Sequence, residues 1–232
     1  MKVILVNGSP HKKGNTNKAL EEFQKFLNDE DIDSEIFWIG ARVKSGCMGC
    51  YKCMEKGQCI IDDDKVNEFA ELSKDCDAFV FGTPVHYASM AGNIVSFMDR
   101  FFYSTSLSGR ASYFLHKPAA SLITARRAGT TATFDQMNKY FAMNQMPIIS
   151  SRYWNMVHTD GMDPERIYED EEGIQILRIL AKNMAYQLKC MEAGKEKGIF
   201  PPEDDEVSFT NFIRKILFYL IIYSFLIDYL FP

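Results

Sequence analysis

The sequence predicts an α/β protein built on a doubly wound, five-stranded parallel sheet, followed by an apolar C-terminal helical tail. Three observations carry this reading. Five short apolar segments alternate with five segments of helical periodicity, the order expected when helices cover both faces of a parallel sheet. The first strand-like run, Lys2 to Val6, alternates poorly, as a parallel strand buried on both sides does. Loops rich in Gly, Pro, Ser and Asn follow the first, third and fourth of these runs, and in such sheets ligands bind beyond the carboxyl ends of the strands.

In order, Lys2 to Val6 reads as the first, buried strand. Gly8, Pro10 and Gly14 then break the chain, and Asn15 or Thr16 can cap a helix over 17–27, which carries Leu20, Phe23 and Leu27 on one face. Ser34 to Ile39 is the second strand. Asp62, Asp63 and Asp64 can cap a helix from Lys65 to Ser73, and Asp77 to Gly82 is the third strand and the clearest in the chain. A breaker loop, Thr83 to Gly92, leads into a helix over 93–103, and the polar, aromatic stretch from Ser104 to Lys117 reads as a surface excursion. Pro118 to Thr124 is the fourth strand, Ala125 to Thr130 a third loop, and 131–144 a helix. Pro147 to Tyr153 is the fifth strand, with a loop to Pro164 and a long helix from Glu165 to Ala193.

Residues 1–197 thus form the main domain. The Pro-rich and acidic stretch 198–210 reads as a linker, and 211–232 as an apolar helix. Ile216 to Ile227 is twelve residues without a charge, short of the about 20 needed to span a bilayer. A helix that packs on a partner subunit or lies at a membrane surface is expected, with a span the less favoured alternative.

A net charge of −5 over 232 residues, with no cluster of Lys and Arg, argues against a nucleic-acid surface. Met1 leads directly into strand residues with no secretory pattern, so a cytoplasmic location is expected, and six cysteines there are expected to be reduced. The stretch from Asn7 to Thr16 puts a glycine-bearing turn between a strand and a helix N-terminus. Free N–H groups and the helix dipole make that an anion site, although an ordinary βα loop uses the same residues.

Gly8-Ser9-Pro10 with Gly14-Asn15-Thr16, then Gly82-Thr83-Pro84-Val85-His86-Tyr87, then Ser96-Phe97-Met98-Asp99-Arg100 together resemble the flavodoxin-like NADPH-dependent FMN reductase family. The match covers roughly residues 1 to 195, and the joint spacing is far more specific than any one motif. The resemblance implies a flavodoxin-like sheet of order 2-1-3-4-5. It implies that the first loop, through Ser9, His11, Gly14, Asn15 and Thr16, holds the phosphate of FMN. Pro84, Val85, His86 and Tyr87 would border the isoalloxazine, and Thr124, Arg126 and Gly129 would approach it from the third loop. It further implies NAD(P)H as co-substrate, a small acceptor such as a quinone, nitro or azo compound or free flavin, and a homodimer or homotetramer. No Gly-x-Gly-x-x-Gly occurs, so no separate dinucleotide domain is indicated. No side chain is singled out as a catalytic acid, base or nucleophile, because the flavin carries the electrons.

Cys47, Cys50, Cys53 and Cys59 are separated by two, two and five intervening residues. Zinc accepts four thiolates but prefers two knuckles set further apart, so this compact spacing favours iron and sulfur. It resembles the iron-sulfur flavoprotein branch of the same family, which implies a [4Fe-4S] cluster beside FMN. Free thiols in a loop are the competing reading. Two further functions stay in play: an electron carrier that takes electrons from a ferredoxin-like partner, and a membrane-tethered module with a structural metal. Cys76 and Cys190 fall within element-like segments and are expected to be buried core residues.

Overall fold

In the computed structural model, residues 1–161, 163–203 and 205 are described. Residues Met1–Ile199 form one compact unit and Phe200–Pro232 a second. The expected apolar helix over 211–232, and residues 204 and 206–210 of the expected linker, lie outside the described residues. Among the described residues, no helix is long and apolar enough to cross a membrane.

The first unit is a parallel sheet of five strands: β1 (Lys2–Asn7), β2 (Asp33–Trp38), β3 (Ala78–His86), β5 (Ala119–Ala125) and β6 (Met156–His158), in the order β2-β1-β3-β5-β6. This is the 2-1-3-4-5 order expected of a flavodoxin-like sheet. A two-residue strand, β4 (Ser89–Met90), pairs antiparallel with the end of β3. Among the described residues six α-helices accompany them: α1 (Asn15–Asn28), α2 (Cys53–Lys56), α3 (Val66–Ser73), α4 (Gly92–Leu107), α5 (Thr130–Met143) and α6 (Glu171–Glu196).

Successive side chains of a strand point to opposite faces, and the two cores divide accordingly. Ile4, Val6, Phe79, Phe81 and Ile123 join Phe97, Phe101 and Phe141 on one side. Val3, Leu5, Val80 and Leu122 join Leu20, Phe23, Leu177 and Leu180 on the other. Phe69 of α3 centres the first core, with its ring 4.7 Å from Phe101 and 6.1 Å from both Phe79 and Phe81 in edge-on geometry, the arrangement aromatic quadrupoles prefer.

Several expected boundaries are corrected. The run Pro147 to Tyr153 is not one strand: Ile148 only bridges to Ala119, and the regular ladder resumes at Met156–His158 against Ile123, Thr124 and Ala125. Between them the chain leaves the sheet for α6, where Ser151 Oγ donates to the Ile176 carbonyl at 2.8 Å and Asn183 Nδ2 donates to the Ser150 carbonyl at 2.7 Å. The loop Thr83 to Gly92 is in fact the continuation of β3 and a hairpin, with Val85 opposite Met90 and His86 opposite Ser89. The surface excursion from Ser104 is helical to Leu107 and is pinned by Phe114, which is buried. The long helix begins at Glu171, after a 3-10 turn over Pro164–Glu169, because the Asp170 side chain accepts from Gly173 N and caps it there.

Candidate functional site

The loop after β1 is shaped from beneath by Asn7. Its side chain, fully buried, donates to the Lys12 carbonyl (3.3 Å) and to Asn17 Oδ1 (3.0 Å) and accepts from Ser9 N (3.0 Å). Gly8 N donates to the Gly82 carbonyl at 2.8 Å, and a Cβ on Gly8 would lie 2.7 Å from that same oxygen. Only glycine lets β1 and β3 approach so closely at their carboxyl ends. Ser9 is itself buried; its Oγ accepts from His11 N at 3.1 Å, and its carbonyl accepts from Trp38 Nε1 at 2.9 Å.

The helix that follows starts at Asn15, two residues earlier than expected, and the cap position falls on Gly14, which offers no side chain. The first turn of α1 therefore keeps its N–H groups without a capping oxygen and holds no acidic residue. Asn15 Oδ1 is buried without a partner. An uncapped N-terminus with its positive dipole end facing a cleft favours an anion.

Three further strand ends close on this loop. Pro84, Val85 and His86 from β3, Thr124 and Arg126 from β5 and its loop, and Thr159 and Gly161 after β6 line the same cleft of about 840 Å³ as Ser9, His11, Gly14, Asn15 and Thr16. Thr16 Oγ1 and Thr124 Oγ1 are 2.7 Å apart. Lys12, Lys13 and Arg126 make the lining basic, while Asp160 is engaged by Arg166. Thr159 Oγ1 is buried without a partner.

Two of the candidate residues stand apart from that lining. Tyr87 sits at the hairpin tip with φ 60°, fully exposed. Gly129, at φ 100°, underlies the hairpin: a Cβ there would lie 2.7 Å from Val85 Cγ1. It packs beneath Val85 and does not itself line the cleft. The sequence reading missed Asn7, Trp38 and Thr159. Asn7 stood inside the quoted loop, whereas Thr159 was hidden by the misplaced fifth strand.

The four cysteines lie elsewhere, in a small pocket that shares no residue with the cleft. Cys47 and Cys50 are exposed, Cys53 opens α2 and is buried, and Cys59 is half-buried. The loop is turned by Gly49 (φ 60°) and Gly57 (φ 72°). Asn67 fixes the Cys59 backbone, with Oδ1 accepting from Cys59 N (3.1 Å) and Nδ2 donating to its carbonyl (2.9 Å). Burial, reinforced by the neighbouring thiols, pushes the Cys53 thiol up. Although the four sulfurs share this pocket, no group of His, Cys, Asp or Glu among the described residues is gathered closely enough to hold a single metal ion. Cys76 is buried as expected, but Cys190 is exposed, on the solvent side of α6.

Comparison with known proteins adds four findings. The sequence model of a family described as NADPH-dependent FMN reductase matches residues 1–161. An iron-sulfur flavoprotein of Methanocaldococcus jannaschii is 26% identical over 198 residues, spanning 83% of this chain and 100% of the relative. Among solved structures, RosB with a bound 8-demethyl-8-formylriboflavin-5'-phosphate superposes with a TM-score of 0.65 at 12% identity over 92% of each chain. FerB, a flavoenzyme NAD(P)H:(acceptor) oxidoreductase from Paracoccus denitrificans, superposes with a TM-score of 0.58 at 15% identity, over 82% of this chain and 97% of that one. At such identities the two structures carry the fold alone.

Proposed function

Since this chain belongs to the NADPH-dependent FMN reductase family, we propose that its cleft holds FMN and that the protein is an oxidoreductase passing electrons from NAD(P)H to a small acceptor. The observation that carries the proposal is the convergence of four strand-end loops on one cleft whose floor is an uncapped helix N-terminus. The residues present fit the group. The Thr159 hydroxyl is buried at the cleft without a partner, and together with the uncapped N–H groups of the first turn of α1 it offers the donors that a phosphate monoester requires.

In this reading Ser9, His11, Gly14, Asn15 and Thr16 hold the phosphate, with Lys12 and Lys13 adding charge. Pro84, Val85 and His86 border the ring system, Thr124 and Arg126 close the opposite wall, and Tyr87 extends beyond it from the hairpin tip. Held there, FMN would supply the redox chemistry, namely hydride acceptance from a nicotinamide and electron transfer to a quinone, nitro compound, azo compound or flavin. The chain's own part is to bind, orient and exclude water. Backbone N–H groups of the hairpin favour negative charge on the ring edge.

The test is direct. Purified protein is titrated with FMN and then with NADPH anaerobically, following flavin absorbance. Saturable binding with rapid bleaching by NADPH is expected, and failure to bind FMN would overturn the proposal.

A second reading rests on the four cysteines sharing one pocket. In it, Cys47, Cys50, Cys53 and Cys59 hold a [4Fe-4S] cluster, a donor set whose thiol chemistry fits iron and sulfur. The cluster would supply a one-electron relay, with a ferredoxin-like protein as donor. The Methanocaldococcus relative, itself an iron-sulfur flavoprotein by name, supports this reading. Bound iron, absorbance near 400 nm in anaerobically prepared protein, and flavin bleaching only with reduced ferredoxin would favour it over the NAD(P)H-driven enzyme.

A further inference from the structure

One face of α4 forms the floor of the four-cysteine pocket, through Arg100 and, one turn later, Ser104. Residues four apart lie on the same side of a helix. The Arg100 side chain is 1% exposed. Its Nη1 pairs with the Asp64 carboxylate, its Nη2 donates to the Ile61 carbonyl at 2.6 Å, and its Nε donates to Cys59 Sγ at 3.4 Å. Asp64 is in turn held by Lys44 N (2.9 Å) and Val66 N (3.3 Å). A guanidinium placed only to brace this loop is satisfied by Asp64 and Ile61. The third arm is spent on a cysteine sulfur.

Ser104 adds an independent observation. It is 4% exposed, lines the same pocket, and its Oγ has no hydrogen-bond partner. A hydroxyl buried without a partner is unfavourable and calls for an explanation. A serine within a helix ordinarily returns its hydroxyl to the preceding turn, and this one does not. Two donors, one of them cationic, therefore stand at the floor of a thiol-lined pocket.

We propose that Arg100 and Ser104 are positioning residues that set the reduction potential of a thiolate-held iron-sulfur centre at Cys47, Cys50, Cys53 and Cys59. The proposal rests on the second reading above. One electron added to such a centre adds one unit of negative charge. Hydrogen bonds to the ligating sulfurs, and a fixed positive charge nearby, stabilise the more negative state and raise the potential. The Asp64 carboxylate offsets part of the charge but is bound through Nη1, away from the Nε–H that meets Cys59.

The test uses the full chain, prepared anaerobically and reconstituted with iron and sulfide, as wild type, Ser104→Ala and Arg100→Gln. Iron content and the equilibrium reduction potential of the centre are measured with dithionite and mediator dyes. Ser104→Ala removes a hydroxyl that bonds nothing in the protein, so it keeps the wild-type iron content. Its centre is expected to titrate at a more negative potential, and Arg100→Gln is expected to shift further in the same direction. If Arg100→Gln loses iron because Asp64 is left unpaired, the Ser104→Ala potential decides. A Ser104→Ala centre with wild-type iron and wild-type potential overturns the proposal. If the wild-type chain takes up no iron, the cluster reading itself falls, an outcome visible before any variant is compared.

Discussion

Thr16 Oγ1 and Thr124 Oγ1 lie 2.7 Å apart, joining the first turn of α1 to the end of β5 across 108 residues of sequence. Both side chains are buried, so each hydroxyl is the other's substitute for water. Thr124→Val leaves Thr16 with an unpaired buried hydroxyl and should cost roughly 1 to 3 kcal/mol. The double variant Thr16→Val/Thr124→Val should cost less than the sum of the singles, because both polar groups are then gone. Urea unfolding of the four proteins measures this coupling. Strict additivity would mean that the contact contributes nothing.

Asn7 is the second element of the cradle that can be removed alone. Its three hydrogen bonds tie together Ser9, Lys12 and Asn17, at roughly 1 kcal/mol each. Asn7→Ala should lower stability by roughly 2 to 4 kcal/mol, a fall in Tm on the order of 5 to 15 °C. FMN affinity should fall as well, even at temperatures where the variant is folded. Calorimetry gives the first quantity and flavin fluorescence quenching the second. A normal FMN Kd would show that the loop does not need this anchor.

The strands and helices legible in the sequence were those whose burial is uniform. β1 has Val3 to Val6 buried on both faces and β3 begins with Ala78 to Phe81 likewise buried, so a continuous apolar run marked each. The fifth strand was misread because Pro147, Ile148 and Ile149 look like a strand, whereas the stretch that completes the sheet, Met156-Val157-His158, is three residues long and follows Trp154 and Asn155. No local pattern announces a strand that short. The cleft's backbone groups were legible through glycine, serine and threonine in the strand-end loops. Trp38 was not, since its role depends on one bond to the Ser9 carbonyl 29 residues away. Likewise nothing local to the cysteines indicated that Arg100 would meet Cys59 across 41 residues.

Cys76 gives a pH dependence of definite sign. It is buried and donates to the Ser73 carbonyl at 3.3 Å, and burial pushes its thiol from 9.0 up to about 12. The folded state therefore keeps this proton while the unfolded chain loses it. The stability contributed by the neutral thiol is fully present below pH 9 and is lost as the pH rises towards 12. Cys76→Ala removes both the packing and the titration. The variant should be less stable than wild type at pH 7.5, by roughly 1 to 2 kcal/mol for the lost side chain, and the gap should narrow steadily in unfolding curves taken between pH 9 and 11. A gap independent of pH would mean that the thiol does not titrate in this way.

Gly129 separates backbone strain from displacement of the hairpin. At φ 100° any L side chain is strained there, and a Cβ would also lie 2.7 Å from Val85 Cγ1 and 3.2 Å from the Ala88 carbonyl. Gly109 shares the left-handed conformation, at φ 75°, but a Cβ on it would meet nothing within 4 Å. Both alanine variants should therefore lose roughly 1 to 3 kcal/mol of stability from the backbone alone. Only Gly129→Ala should also weaken FMN binding, by roughly 10-fold, equivalent to about 1.4 kcal/mol, because Val85 lines the cleft and must move. Thermal unfolding of the two variants alongside FMN titration distinguishes the effects. Equal losses of FMN affinity would show that Gly129 acts through global stability and not through the position of Val85.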